Sequence, residues 1–389
     1  MVKEGNGMQL GLEVFIYRDF KKYQGKRIGL VTNMTGVNQQ LVPAVDLFFE
    51  HPDINLVALF GPEHGIRGDA KEGEKVTAFV DPDTNLPVYS LYGETRKPAK
   101  EMIELVDVMV LDLQDIGSRY YTYIYTMANV MKACHEYNKE LVVLDRPNPI
   151  SGMKVEGNLV EEAFRSFIGL LPIPNRHGMT IGELASLFKG EFGYHCELTV
   201  IPMQGWERWM YQEDTGLLWV PPSPNTTTQD MMILYSGTCL IEGTNLSEGR
   251  GTTRPFEWIG APFINGQQLA RKFNERNLPG IIARPVTFSP TYQKYAGETC
   301  QGVQLHVKDR ESLNALYATI LLVKDILEMY PDKLKFIQYS DRYTFDLLTG
   351  TDKLRKDLLN NRDMEDFFTS CYQQSLDFDR RRKNYLLYK

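Results

Sequence analysis

The first half of the chain alternates short, unbroken apolar runs with segments whose apolar positions recur at helical spacing. The runs "KRIGLVTN" (26–33), "NLVALF" (55–60), "LPVYSLYG" (86–93), "VDVMVLDLQ" (106–114) and "ELVVLDRP" (140–147) read as strands. Between them, "LVPAVDLFFEH" (41–51), "PAKEMIELV" (98–106) and "YIYTMANVMKACHEYN" (123–138) read as helices. Continuous Val, Ile and Leu without polar alternation predicts strands covered on both faces, as in a parallel sheet. The strand–helix rhythm then predicts an open, doubly wound α/β domain.

Further on, "IGLLPIPNRHGMTIGELASLFKGEF" (168–192) gives an extended segment, a His-Gly turn and a helix. Thr180 is placed to cap that helix, and Glu183, three residues on, completes a capping box. "CELTVIPM" (196–203) reads as one more strand. Around "WVPPSPNTTTQD" (219–230) the texture turns to Pro, Ser, Asn and Thr, which predicts a division into domains over 1–215 and 216–389. The second part is mixed, with helices expected near 266–276 and 311–329 and a strand at "GVQLHVKD" (302–309).

In an open α/β sheet, chemistry collects at the carboxyl ends of the strands. Four of those ends here run into polar, turn-forming residues: "TNMTG", "GPEHGIRGD", "DLQDIGSRYYTY" and "LDRPNPISG". One such loop is ordinary, but four on one rim predict a site.

Composition narrows what that site does. With 43 basic and 50 acidic residues the net charge is −7, which argues against a nucleic-acid-binding surface. The one dense basic run, "DRRRKNY" (379–385), reads as a solvated helix or tail. Five scattered cysteines without a CxxC pair read as buried free thiols, and the six histidines form no metal-ligand pattern. A phosphate loop, a dinucleotide fingerprint and a serine-nucleophile elbow are all missing from the sequence. No cofactor and no metal are therefore expected. No apolar run reaches the ~18 residues of a membrane span, so membrane insertion is not expected. "MVKEGNGMQLGLEVF" at the start has no signal-peptide core, which predicts a cytoplasmic protein, or a periplasmic or secreted one if a leader has been removed.

What remains is carboxylates, arginines and tyrosines in turns. Glu63, held by Pro62 at a strand end, is expected to be partly desolvated, which raises a carboxyl pKa toward what a general acid needs. His64 is placed to hydrogen-bond to it or to a substrate; alternatively the pair merely caps the turn. In "DLQDIGSRYYTY", Asp115, Arg119 and Tyr123 can grip a sugar, or else Asp115 and Arg119 pair while the tyrosines fill core. "LDRPNP" sets Asp145, Arg146 and Asn148 on a stiff turn, as a ligand contact or as a structural Asp–Arg clamp. "EGTNLSEGRGTTRP" (242–255) carries Glu242, Asn245, Glu248 and Arg250 on a glycine-rich loop suited to fold over an anionic or polyhydroxyl ligand. His177, before a helix N-terminus, is a further candidate for the same cleft.

The strings "FGPEHGIRGDAKEG", "DLQDIGSRYYTY", "VLDRPNP", "RHGMTIGELA", "PPSPN" and "GTCLIEGTNLSEGRGTTRPFEWIGAPF" together resemble the exo-β-N-acetylmuramidase (NamZ/YbbC-like) family. The likeness runs from about Leu10 to the terminal "YLLYK". It implies a Rossmann-like N-terminal domain and an α+β auxiliary C-terminal domain closing a cleft. It also implies a glycoside hydrolase that removes terminal N-acetylmuramic acid from the non-reducing end of peptidoglycan fragments, without metal or nucleotide. On that reading Glu63 is the leading acid, with His64 orienting it and Asp115 or Glu248 as candidates for the second catalytic group. An arginine, Arg119, Arg146 or Arg250, would meet the lactyl carboxylate. A non-catalytic muropeptide-binding protein and an amidase on the same scaffold are the alternatives.

Overall fold

The computed structural model describes residues 7–63, 65–66, 79–92 and 96–389. Seven strands form one sheet: β1 (Arg27–Thr32), β2 (Asn55–Gly61), β3 (Phe79–Val80), β4 (Pro87–Ser90), β5 (Val108–Asp112), β6 (Glu140–Leu144) and β7 (Glu197–Ile201). Their spatial order is β3-β4-β2-β1-β5-β6-β7. Every pairing is parallel except β3 with β4 at the edge. The apolar runs behave as a two-faced sheet requires. Ile28, Leu30, Val108, Val110, Val142 and Leu144 pack into one cluster, while Val31, Met109, Leu111, Leu141 and Val143 pack into another.

Helices α1 (Gly11–Tyr17) and α2 (Ala44–Phe49) supply apolar side chains to the first cluster. The short α3 (Lys100–Ile103) and the longer α4 (Tyr123–Glu136) and α5 (Ile181–Glu191) supply the second. The expected cap of α5 is present: Glu183 N donates to Thr180 Oγ1, and Thr180 N donates back to the Glu183 carboxylate.

The second half is an α+β unit. Its three-stranded antiparallel sheet has the order β8 (Trp258–Ala261), β10 (Cys300–Val307), β9 (Ile281–Phe288). Helices α6 (Gln229–Thr238), α7 (Gly266–Glu275), α8 (Ala315–Met329), α9 (Thr344–Thr349), α10 (Lys353–Leu359) and α11 (Glu365–Arg382) complete it. The second cluster runs without interruption from the large sheet through α6 and α8 into this unit, so one apolar core joins both halves. All five cysteines are buried and free.

After α11 the chain returns to the large sheet. Arg382, in the basic run expected to be solvated, is buried and donates to the carbonyls of Gly152 and Gly178. The correction has a simple cause: a guanidinium is the side chain best able to satisfy several carbonyls at once, and the sequence does not show which carbonyls lie nearby.

Candidate functional site

The crevice between β1 and β5, where the strand order reverses, is the usual ligand position in such sheets. Here it is filled. Arg146 forks onto Asp112 with bonds of 2.5 and 2.8 Å and also donates to the Val37 carbonyl. A cavity of 410 Å³ lies to one side, over the end of β2, the loop after β5 and the start of α4.

Glu63 stands two residues beyond the last residue of β2, half-buried, on the wall of this cavity. The loop after β5 brings in Tyr120 and Tyr121, and α4 opens at Tyr123. Tyr121 meets Tyr123 edge to face at 4.9 Å, and Tyr235 of α6 meets Phe256 the same way at 4.7 Å. Tyr123 Oη donates to the Pro222 carbonyl at 2.7 Å and lies 3.4 Å from the Glu63 carbonyl. One phenol thus ties α4 to the loop entering the second half. Burial, and after it the nearby Glu63 charge, holds that phenol well above its ordinary pKa, so it remains a neutral donor.

The second half contributes Ser223, Asn225 and Thr226 from the loop before α6, then Glu242 and Arg250. Arg250 donates to Glu242 at 2.7 Å, and its Nε lies 3.4 Å from the buried Glu248. Lys294 donates to Glu248 at 3.0 Å and lies within 3.2 Å of the carbonyls of Ile241, Glu242 and Leu246. This ammonium braces the turn that carries Glu242.

Glu63, Tyr123, Glu242 and Arg250 therefore converge on the cavity, with Glu248 directly behind Arg250. His64 lies outside the described residues. The remaining expected site residues are placed elsewhere, and each has a structural partner. Arg119 is fully buried and donates to the carbonyls of Asn158, Ile173, Leu348 and Thr349. It pins α9 to the first half and pairs with no carboxylate among the described residues. Asp115 accepts from Gly117 N at 2.7 Å and lies 3.3 Å from His177 Nε2, both side chains being buried. Because Met179 N donates to His177 Nδ1, the proton of the neutral ring belongs on Nε2, facing Asp115.

Asp145 lies in hydrogen-bond contact with Thr180 Oγ1, Gly182 N, Arg146 N and Tyr388 Oη, so its oxygens face the protein and not a ligand. Asn148 donates to the Met179 carbonyl and accepts from Ile150 N. It fills the space beside Gly117, whose φ is +80° and whose added Cβ would meet the Asn148 amide oxygen at 2.4 Å. Asn245 bridges the Lys333 carbonyl and the Lys335 amide. These corrections share one cause. Loops at a sheet rim leave orphaned backbone groups, and the residue types that can grip a sugar are the ones that satisfy them.

Sequence reasoning missed Arg96, Ser166, Phe167 and the hydroxyl-bearing loop at 223–226, all of which line the cavity. The rule of strand ends, applied also to β4, leads toward Arg96. The "PPSPN" stretch, where the texture of the chain changes, is also part of the cavity lining. Among the described residues no three His, Cys, Asp or Glu side chains are grouped as a metal ion would need, and no helix is long and apolar enough to cross a membrane.

Aromatic faces for C–H surfaces, hydroxyls and an amide for sugar hydroxyls, and two carboxyl groups lining one cavity are the equipment of proteins that cut glycosides. Comparison with known proteins gives that class and a family. Residues 28–230 match the family described as exo-beta-N-acetylmuramidase NamZ, N-terminal, and residues 233–388 match its C-terminal counterpart. The peptidoglycan beta-N-acetylmuramidase NamZ of Bacillus subtilis (strain 168) is 47% identical over 381 residues, 98% of this chain and 91% of that protein. The crystal structure of a DUF1343 family protein from Bacteroides fragilis NCTC 9343 superposes with a TM-score of 0.92 at 40% identity, covering 99% of this chain and 100% of that one. A second DUF1343 family protein from the same strain gives 0.77 at 32% identity, covering 98% and 99%. The chain belongs to the NamZ exo-β-N-acetylmuramidase family and is, by that membership, a glycoside hydrolase.

Proposed function

We propose that this protein releases terminal N-acetylmuramic acid from the non-reducing end of peptidoglycan fragments, with Glu63 as the general acid. The observation that carries the reading is the position of Glu63, beyond the end of β2 on the wall of a 410 Å³ cavity also lined by Tyr121, Tyr123 and Tyr235. That volume falls in the ~300–1,000 Å³ range of small-ligand sites and suits a chain end better than the middle of a glycan.

In this mechanism the Glu63 carboxyl gives its proton to the bridging oxygen as the bond to the anomeric carbon breaks, so the remaining glycan leaves as an alcohol. Tyr123, through its reach toward the Glu63 carbonyl, helps hold that turn. Glu242, the other carboxylate lining the described part of the cavity and held by Arg250, is the group we assign to the anomeric face. It attacks the anomeric carbon as the leaving oxygen departs, and water that gives its proton to Glu63 then displaces it, releasing the sugar and restoring both carboxyl groups. Asp115 and Glu248 are less suited to that role, since neither lines the cavity.

The test is turnover of a chromogenic N-acetylmuramide by the unaltered protein and by Glu63→Gln. The variant should lose at least ~10²-fold in kcat, as removal of a general acid does, with its melting temperature unchanged. Near-normal turnover in the variant removes Glu63 from the mechanism. Binding of the glycoside without cleavage by the unaltered protein would favour the non-catalytic reading, and cleavage of peptide bonds alone would favour an amidase.

A further inference from the structure

We propose that Arg96 makes this cleft prefer a sugar that carries a carboxylate, by meeting the lactyl group of N-acetylmuramic acid. The inference rests on the muramidase reading and names the residue that gives it selectivity. Among the described residues that line the cavity, two are cations, Arg96 and Arg250. Arg250 is bonded to Glu242 and lies against Glu248, so two carboxylates already balance its charge. Arg119 and Arg146, the other candidates, are buried against carbonyls and against Asp112.

Arg96 stands differently. It is exposed, and its guanidinium carbon sits 4.1 Å from the centre of the Phe167 ring. Stacking on an aromatic uses the face of the guanidinium plane and leaves the in-plane N–H fork pointing outward. That fork matches a carboxylate in the bidentate geometry that makes Arg–carboxylate pairs strong. Beside Phe167 in the chain, Ser166 also lines the cavity, and its buried hydroxyl has no partner among the described residues. A buried hydroxyl without a partner is uncommon in folded proteins, and here it offers a second donor on the same wall. N-acetylmuramic acid differs from N-acetylglucosamine by one lactyl ether, which adds a planar anionic acceptor and nothing else that is charged. A cation held by stacking near an open cavity is the feature that tells these two sugars apart.

The experiment compares Arg96→Ala and Arg96→Lys with the unaltered protein on a chromogenic N-acetylmuramide and the matching N-acetylglucosaminide. Because Arg96 is exposed, the variants should melt as the unaltered protein does. For the muramide, KM should rise at least about tenfold in Arg96→Ala, as expected for loss of a charge-assisted pair, while kcat holds. Arg96→Lys should recover part of that loss, and the glucosaminide constants should not move. An equal loss on both sugars, or no loss on the muramide, overturns the assignment. If the unaltered protein cleaves neither glycoside, the proposed function fails while Arg96 is still decided by calorimetry with free N-acetylmuramic acid and N-acetylglucosamine. A preference for the acid that Arg96→Ala abolishes supports the role. No preference, or one that survives the substitution, ends it.

Discussion

Tyr388, the penultimate residue, donates its phenol to Asp145 at 2.5 Å across 243 positions of sequence. Asp145 directly follows β6 and caps the layer beneath the rim, where it also holds Thr180 and Gly182 at the start of α5. The C-terminal segment is therefore a strap over the large sheet, closed by this bond and by Leu387 N donating to Glu183. Tyr388→Phe keeps the ring against Trp206 and deletes the hydroxyl. Urea unfolding should show a loss of about 1–3 kcal/mol, the usual cost of leaving a buried acceptor short of a donor, with kcat unchanged. A variant as stable as the parent would mean the strap is held without help from this bond.

The same carboxyl gives the protein a pH dependence whose sign is defined. Burial pushes Asp145 up to about 7 from its ordinary 3.8, and the neighbouring Glu183 charge adds to the rise. Bonds from Tyr388, Gly182 and Thr180 act against it. Between those two values the folded chain holds a proton that the unfolded chain has released. The contribution of Asp145 is thus complete below about 4 and is lost as pH climbs through 7, with a slope of up to ~1.4 kcal/mol per unit. Asp145→Asn carries no such proton. Measured at pH 5 and pH 8, the stability difference between parent and variant should shift in favour of the variant at the higher pH; a constant difference refutes the linkage.

Arg119 distinguishes a binding role from a structural one. As a substrate contact it would raise KM when removed. As the donor to four buried carbonyls, it should instead lower stability. Arg119→Met removes a donor from each, and although Thr349 keeps a bond from Asn158, the cost is about 1–3 kcal/mol for each acceptor left without a partner. The expected result is a protein that melts far lower or fails to accumulate, with an ordinary KM in whatever folds. A well-folded variant with a raised KM would restore the ligand-contact reading.

Glu242 is tested by chemical rescue. In a retaining enzyme a carboxylate attacks the anomeric carbon, and removing it opens room for a small nucleophile. Glu242→Ala should lose activity, and azide should restore part of it with formation of a glycosyl azide detectable by mass spectrometry. If Glu242→Ala keeps its turnover, the substrate's acetamido oxygen becomes the leading candidate for that face.

Lys294 supports the same turn from behind. Its ammonium lies within 3.2 Å of the Glu242 carbonyl and braces Glu248, without lining the cavity. Lys294→Met should lower kcat through a loosened Glu242, and the loss should be equal for muramide and glucosaminide substrates. A loss confined to the muramide would instead give Lys294 a share in carboxylate recognition.

The parts of this protein legible in its sequence are those dictated by local pattern. The apolar runs at β1, β2, β5 and β6, the helix at 123–136 and the capping box at Thr180 and Glu183 each follow from side-chain periodicity or from one short-range bond. Glu63 stands out in the sequence because a strand end, a proline and a glycine-rich turn lie within a few residues. The short helix α1 does not show in the sequence, because "GLEVFIY" opens on glycine and is buried almost all round, which leaves no apolar–polar period to read. Arg119, Arg146 and Asp145 read as polar groups needing partners, but apart from the amide of Arg146 beside Asp145 those partners lie 34 to 243 positions away.

Sequence alone determined the class of the fold, the rim on which polar residues gather and the family to which the chain belongs, because each is written in contiguous residues. Only the tertiary structure decided which of those polar residues look into the cavity and which are consumed by the backbone beside them. A carboxylate, an amide or a guanidinium satisfies a carbonyl or an amide of the protein by the same hydrogen bonds it offers a sugar. The choice between the two depends on distances that appear only when the sheet, α6 and the returning C-terminal segment are brought together.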